Sequence, residues 1–358
     1  MSDKSIALVT GGNTGIGYET VKALYGSSEA YTLLMGSRSL DKAKAAIETL
    51  KSENTNSKSD LIPIQLDIED DQSIQDAFDE VKSKYTRIDT VINNAGGSFD
   101  GLMRGDSSPS AIRAAWNKAY SVNVTSTQVF STTFVPLLLA SSSPRLLFVT
   151  SGLSSLTTAS GGKISATIRE PSKAGWPKPF TLSQVAYRSS KTALNMMMLD
   201  WVRALEPDGV KVFGISPGFL ATGLGGMGPE FMRKVGAGEP HLGGELIRDV
   251  VEDVSNPSVV MKLLSSIAVL SFAYIQGAVA ITTSPSNANN SADSDVRDLR
   301  DRIIRQFTLV AEHFHEAAAT YTSFAHIYEQ LSREQHFKPS REPVDQIGQL
   351  TNLLSGKE

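Results

Sequence analysis

At 358 residues the chain is longer than the roughly 250 residues that one α/β core needs, so two unequal pieces are expected. Its formal charge of −4, with Lys and Arg scattered rather than gathered in a run, leaves no basic footprint for a phosphate backbone, and no nucleic-acid partner is expected. The absence of cysteine excludes disulfides, thiolate chemistry and thiolate metal sites, and is compatible with a reducing compartment.

The N-terminus, Met1-Ser-Asp-Lys-Ser5, passes at once into Ile6-Ala-Leu-Val9, an apolar run too short for a signal peptide and already strand-like, which predicts a soluble, cytoplasmic protein. Short β-rich runs then alternate with stretches of helical period. Strands are predicted at Ile6–Val9, Tyr31–Met35, Ile62–Leu66, Thr90–Ile92, Arg145–Val149 and Val210–Gly214. Helices are predicted at Gly15–Tyr25, Asp41–Lys51, Asp71–Tyr85, Tyr120–Leu139 and Ala186–Leu205. This alternation implies βαβ units and an α/β fold with a doubly wound parallel sheet of Rossmann type, buried on both faces.

The first strand runs into Thr10-Gly-Gly-Asn-Thr-Gly15-Ile-Gly17, which opens a helix. A glycine-rich turn between strand and helix lets the backbone approach a pyrophosphate at a helix N-terminus, so Gly11, Asn13, Thr14, Gly15, Ile16 and Gly17 are candidate dinucleotide-binding residues. An NAD-binding site of this kind usually carries a carboxylate at the end of the second strand. Gly36, Ser37 and Arg38 stand there instead, and an arginine suits a 2′-phosphate, so NADP(H) is the expected cofactor. A solvated surface arginine is the plainer reading of Arg38. Asp67, after the third strand, falls where an adenine edge is expected, or caps the helix that follows.

Tyr187-Arg-Ser-Ser-Lys191 spaces a phenol and an ammonium four residues apart on one helical face. A phenol of pKa about 10 is a weak acid–base group at neutral pH, and a neighbouring cation favours its ionised form. Alone, the pair is a common surface pattern. In company with Thr10 to Gly17, Asn93-Asn-Ala-Gly96, Asn123, Ser151 and Pro217-Gly218, each at its place in the strand and helix order, it resembles the short-chain dehydrogenase/reductase family from Ser5 to about Val254.

The resemblance implies that Tyr187 gives a proton to a carbonyl, that Lys191 holds the nicotinamide ribose and depresses the tyrosine pKa, that Ser151 polarises the carbonyl, and that Asn123 supports a water relay. It further implies that Asn94, Ala95 and Gly96 line the adenosine ribose side, and that Pro217, Gly218 and Thr222 border the carboxamide, which Thr222 bonds. The expected activity is NADP(H)-dependent interconversion of a ketone or aldehyde and its alcohol. A catalytically silent dinucleotide sensor or scaffold acting through the C-terminal helix is the alternative. The sequence departs from the family in the distance between Ser151 and Tyr187, 36 positions where about a dozen are usual. Ser154 and Ser155 therefore compete with Ser151. The inserted stretch carries Gly175-Trp-Pro177, similar to monomeric carbonyl reductases, and either brings Trp176 and Phe180 to the substrate mouth or packs on itself.

Three units are expected: a catalytic domain at 1–256, an apolar and polar connecting segment at 257–295, and a helical extension at 296–358. Tyr274-Ile-Gln-Gly277-Ala-Val-Ala-Ile281 resembles the family's closing strand, whereas Met261-Lys-Leu-Leu through Ala278-Val-Ala280 reads equally as a signal-like segment. Its serines and Gln276 disfavour a membrane span, so no stable membrane association is expected. Asn289-Asn-Ser291 is a glycosylation-type tripeptide. From Val296 to Leu331 an apolar residue recurs every three or four positions, a helix stripe in need of a partner surface. His313 and His315, two apart on that helix, face different ways and close no ligand set, so no metal is expected. Oligomeric state is left open.

Overall fold

The computed structural model describes residues 4–160, 174–176, 178 and 184–252. The readings placed on the connecting segment, the C-terminal helix and Phe180 lie outside the described residues.

Six strands, β1 (Ser5–Val9), β2 (Tyr31–Ser37), β3 (Asp60–Gln65), β4 (Thr90–Asn93), β5 (Arg145–Val149) and β6 (Lys211–Ile215), form one parallel sheet in the order β3-β2-β1-β4-β5-β6. The strand order reverses between β1 and its two neighbours, with Val9 in register with Met35 on one side and Ile92 on the other. In an open α/β sheet that switch point opens a crevice beyond the carboxyl ends of the strands.

Helices α1 (Gly15–Tyr25), α2 (Leu40–Glu53), α3 (Asp71–Lys84), α4 (Pro109–Tyr120), α5 (Ser126–Leu138), α6 (Leu156–Ser160), α7 (Val185–Leu205), α8 (Pro229–Lys234) and α9 (His241–Glu252) connect or follow the strands. Alternate strand residues feed two cores. Leu8, Leu34, Leu146 and Phe148 pack on one face with Ile74, Val81, Phe130, Phe134 and Leu194. Ala7, Val9, Leu33, Met35 and Leu147 pack on the other with Val21, Leu24, Ile47, Leu50, Ile247 and Val250. Burial on both faces explains why the strands read as unbroken apolar runs rather than alternating ones. Each large side chain so buried contributes roughly 1.5–3 kcal/mol, and strands locked this way fix the loops at their ends.

The expected doubly wound sheet is therefore observed, with two local corrections. The helix predicted over Tyr120–Leu139 is observed, as a π-helical turn at Ser121–Thr125 that runs on into α5, but it is preceded without a break by α4, which the apolar pattern did not predict. Helix α4 begins where Ser108 accepts a bond from Ala111 N at 3.3 Å and Pro109 takes a position that needs no N–H. Asp67 does not cap α3. Asp70 does, accepting from Gln72 N and Ser73 N, while Asp67 accepts from Glu69 N in the turn before it.

No helix among the described residues is long and apolar enough to cross a membrane.

Candidate active site

Thr10 closes β1 and is buried. Its hydroxyl accepts from Asn94 N at 3.0 Å and from Ala95 N at 2.9 Å, and Asn94 Nδ2 donates back to the Thr10 carbonyl at 2.9 Å. The turn after β1 and the turn after β4 are thus one hydrogen-bonded unit. Gly17 sits against it, where a Cβ would strike the carbonyl oxygen of Gly11 and the Asn94 amide, so this approach of α1 to β4 requires glycine. Gly11, Asn13 and Thr14 lie in the turn itself, and Gly15 and Ile16 open α1. Thr14, at the N-cap position of α1, makes no side-chain capping bond, and no acidic residue occupies the first turn. Those first-turn N–H groups have no intrahelical acceptor, and with the helix dipole they favour an anion. The residues present fit a dinucleotide pyrophosphate.

Arg38 is exposed just past the end of β2, and Asp67 is half-buried past the end of β3, both on the crevice side of the sheet. Thr222 lies by the first glycine loop, its Cβ 3.9 Å from where a Gly15 Cβ would stand, so the segment after β6 that holds Pro217 and Gly218 returns to the α1 terminus.

Ser151 lies two residues beyond β5 and caps a short 3-10 turn, accepting from Leu153 N at 3.2 Å. Its side chain also lies close enough to the Tyr187 hydroxyl to favour the ionised phenol. The competing serines are engaged elsewhere: buried Ser154 accepts from Asn195 Nδ2 at 2.7 Å, and Ser155 accepts from Thr158 N at 3.1 Å. The 36-position gap between Ser151 and Tyr187 leaves the two side chains in contact, because the insertion falls between strand end and helix start rather than inside either.

Tyr187 and Lys191 project from the first turns of α7, and both are buried. Lys191 Nζ donates to the carbonyl of Val149 at 2.8 Å and lies 6.0 Å from the centre of the Tyr187 ring. Burial disfavours the charged form and brings the Lys191 ammonium down to about 8. For Tyr187 burial is again the larger influence and holds the phenol above its ordinary value, with Ser151 pulling the other way. The expected depression of the tyrosine by its lysine is therefore not the state of the protein by itself: burial raises the phenol, and the influence that lowers it comes from Ser151.

Asn123 occupies the π turn, fully buried. Its oxygen accepts from Gly97 N at 2.9 Å, and its two amide hydrogens go to Gly97 O at 2.8 Å and Ser190 Oγ at 2.9 Å. The extra residue of a π turn redirects one side chain, here into the site. The result is a clamp on the loop after β4 rather than an open amide. Gly96 lies inside this clamp: a Cβ there would come within 2.9 Å of Asn123 Oδ1 and 3.3 Å of Lys191 Nζ.

Three buried polar residues of the site are ones that motif reading passes over. Thr10 joins the two loops. Ser190 links Asn123 to the helix by donating to the Tyr187 carbonyl at 2.8 Å. Asp100 accepts from Ala186 N at 2.9 Å and Tyr187 N at 3.0 Å. Asp100 lies 86 positions from Ala186, and no local pattern pairs them.

Residues 5–175 match the family described as short chain dehydrogenase. Among curated proteins, the chain is 46% identical over 256 residues to the short-chain dehydrogenase/reductase eupG of Phoma sp, covering 70% of this chain and 90% of the relative. It is 44% identical over 255 residues to the short-chain dehydrogenase/reductase tropE of Talaromyces stipitatus, covering 70% and 92%. The fold is also that of an alcohol dehydrogenase from Thermococcus sibiricus solved with 5-hydroxy-NADP, at a TM-score of 0.54, 21% identity, and coverage of 71% of this chain and 93% of that one. The chain belongs to the short-chain dehydrogenase/reductase family, and it is an oxidoreductase of the kind that takes a nicotinamide dinucleotide.

Proposed function

We propose that the protein reduces a ketone or aldehyde to its alcohol with NADPH, Tyr187 serving as the proton donor. The observation that carries this reading is the convergence of Ser151, Tyr187 and Lys191 at the carboxyl end of β5. When bound, the dinucleotide supplies the hydride that the carbonyl carbon receives.

The chain's own residues handle the oxygen. With its pKa held up by burial, Tyr187 is protonated at neutral pH and has a proton to give as negative charge develops on the substrate oxygen. Ser151 Oγ accepts from Leu153 N, so its hydrogen remains available to bond Tyr187 or a substrate oxygen. A donor aimed at such developing charge contributes roughly 3 kcal/mol. Lys191 uses one ammonium hydrogen on Val149, and the others are available to a ribose; its charge also stabilises the phenolate left after proton transfer. Asn123 holds the loop that borders both.

For the dinucleotide, the first-turn N–H groups of α1, with Gly11, Asn13, Thr14, Gly15, Ile16 and Gly17, take the pyrophosphate. Arg38 takes the 2′-phosphate, Asp67 the adenine edge, Asn94, Ala95 and Gly96 the adenosine ribose side, and Pro217, Gly218 and Thr222 the carboxamide. An apolar substrate is favoured by the exposed Leu102 and Leu224, which lie on turns that pack together beside the start of α7. Trp176, 88% exposed, adds apolar surface on the inserted stretch. We assign 1–256 as the catalytic unit, 257–295 as the connection and 296–358 as a separate extension, a division supported by relatives that match 70% of this chain while being covered almost entirely themselves.

The test is oxidation of NADPH by the purified protein against aromatic and aliphatic ketones, quinones and aldehydes, beside Tyr187→Phe. Turnover that disappears in the variant supports the acid assignment. Equal turnover in both removes Tyr187 from that role, and tight NADPH binding without turnover of any carbonyl returns the sensor reading.

A further inference from the structure

We propose that Asp100 is the positioning residue of the Tyr187–Ser151 pair, its carboxylate serving as a long-range cap that fixes where helix α7 begins. The inference rests on the functional reading above and adds a residue to it.

Helix α7 has no cap of its own. Gln184 stands at its N-cap position with φ 50° and ψ 41°, makes no side-chain capping bond, and is the one non-glycine residue of positive φ among the described residues. The left-handed region is unfavourable for an L residue, so the local chain does not favour this helix start. The first N–H groups of a helix have no intrahelical acceptor, and each one buried without a partner is destabilising.

Asp100 supplies what is missing. It begins a 3-10 turn on the loop after β4, is 7% exposed, and directs one carboxylate oxygen to Ala186 N and the other to Tyr187 N. A negative charge at this end of a helix is also favoured by the helix dipole. On its other side, the Tyr187 peptide is held by Ser190, which Asn123 anchors in turn. Both backbone polar groups of Tyr187 are therefore bonded to buried side chains, and the two chains of contacts lead back to the loop at Gly96 and Gly97. A misplacement of about 1 Å in a reacting group costs on the order of 10²-fold in rate, which is why the start of α7 matters to a phenol that must meet Ser151.

An amide cannot replace this carboxylate, since its NH₂ would face one of the two N–H groups. In Asp100→Asn the first turn of α7 loosens, the phenol becomes more hydrated, and its titration moves toward the ordinary value. The groups that face the phenol, Ser151 and Lys191, are the same in both proteins; because Asp100→Asn also removes a negative charge, which by itself favours the phenolate, Asp100→Glu is measured beside it, and a Tyr187 signal displaced in Asp100→Asn but unmoved in Asp100→Glu overturns the positioning role.

The experiment uses the full chain labelled at tyrosine Cζ, with the Tyr187 carbon signal identified by its absence in Tyr187→Phe. Wild type is expected to titrate above the ordinary phenol value and Asp100→Asn about one pH unit lower than wild type. Asp70→Asn, which disturbs the cap of α3, is expected to lower thermal stability and leave the Tyr187 signal unmoved. An unmoved Tyr187 signal in folded Asp100→Asn overturns the proposal, as does an equal displacement in Asp70→Asn, which would show general loosening. Should Asp100→Asn not fold, Asp100→Glu keeps both acceptors on a stem one methylene longer; a displaced Tyr187 signal supports the proposal and an unmoved one overturns it. The signal is read without substrate or dinucleotide. Failure here leaves the turnover test of Tyr187 standing, and failure of that test leaves this one readable.

Discussion

Lys191 Nζ lies 2.8 Å from the carbonyl oxygen of Val149, so a buried ammonium is tethered to the last residue of β5 rather than to a carboxylate. Without an anionic neighbour to offset desolvation, its pKa comes down to about 8, within reach of ordinary assay conditions. Dinucleotide affinity should therefore depend on this charge. The dissociation constant, followed by quenching of protein fluorescence, is expected to be level from pH 6.5 to about 7.5 and to weaken above pH about 8 as the ammonium loses its proton. Lys191→Met is expected to bind more weakly throughout, with no inflection near 8; an inflection that persists in the variant assigns the titration to another group.

The same buried cation lowers the stability of the protein without cofactor. The folded pKa is about 8 and the unfolded value 10.5, so between them the unfolded chain binds more protons and stability rises with pH. Below about 8 the full penalty, about 3 kcal/mol, is present. Lys191→Met removes it and orphans the Val149 carbonyl, at a cost of about 1–3 kcal/mol. At pH 7 the variant is expected to melt at or above the temperature of the wild type, with its advantage shrinking as pH approaches 10. A variant melting several degrees lower at pH 7 would show that the ammonium is better solvated than its burial implies.

Much of the fold was legible because both faces of the sheet are covered. Runs such as Ile6-Ala-Leu-Val9 and Leu146-Leu-Phe-Val149 are apolar throughout, and α1 was placed at its observed limits because glycine opens it and Gly26 follows it. The helix expected over Tyr120–Leu139 is there, but its π-helical first turn was not legible, since a one-residue insertion in a helical ladder leaves apolar spacing nearly unchanged, and the preceding α4 was missed. Helix α9, absent from the predicted set, carries Gly243-Gly244 near its start, which reads locally as a turn. Within the site, Tyr187 and Lys191 are legible because their spacing is local. Asp100 is not, since its capping role exists only after β4 and α7 have been brought together, 86 positions apart.

The proposed preference for NADPH is tested at Arg38. It stands exposed after Ser37, where NAD-specific sites place an acid. A charge-assisted bond to a phosphate is worth about 1.5–3 kcal/mol, a factor of roughly 10–100 in affinity. Arg38→Asp is expected to weaken NADPH binding by that factor and to leave NADH binding within about threefold, or improve it by a bond to the 2′-hydroxyl. Equal weakening of both would mean that Arg38 reads no 2′-phosphate and that the turn after β2 has been disturbed.

Thr10 offers the most local test of how the dinucleotide crevice is assembled. Its hydroxyl is the shared acceptor for Asn94 N and Ala95 N and donates to Ile92 O at 3.4 Å. Valine preserves the shape of threonine and removes the oxygen, leaving both N–H groups without this acceptor. Asn94 N keeps the Ile92 carbonyl as an acceptor at 3.0 Å, so Ala95 N is the donor left without its partner; an orphaned donor costs about 1–3 kcal/mol, and Thr10→Val is expected to lose about that much stability in urea unfolding. The loop after β4 would keep the bonds from Asn94 Nδ2 to the Thr10 and Gly11 carbonyls but lose its hold on the Thr10 hydroxyl, so dinucleotide affinity is expected to fall about tenfold, a change of about 1.4 kcal/mol. Thr10→Ser keeps the oxygen and is expected to recover most of both losses. If Thr10→Val lowers stability while dinucleotide affinity is unchanged, the bond between the two loops serves the fold alone, and the crevice is set by the packing of Gly17 against Gly11 and Asn94.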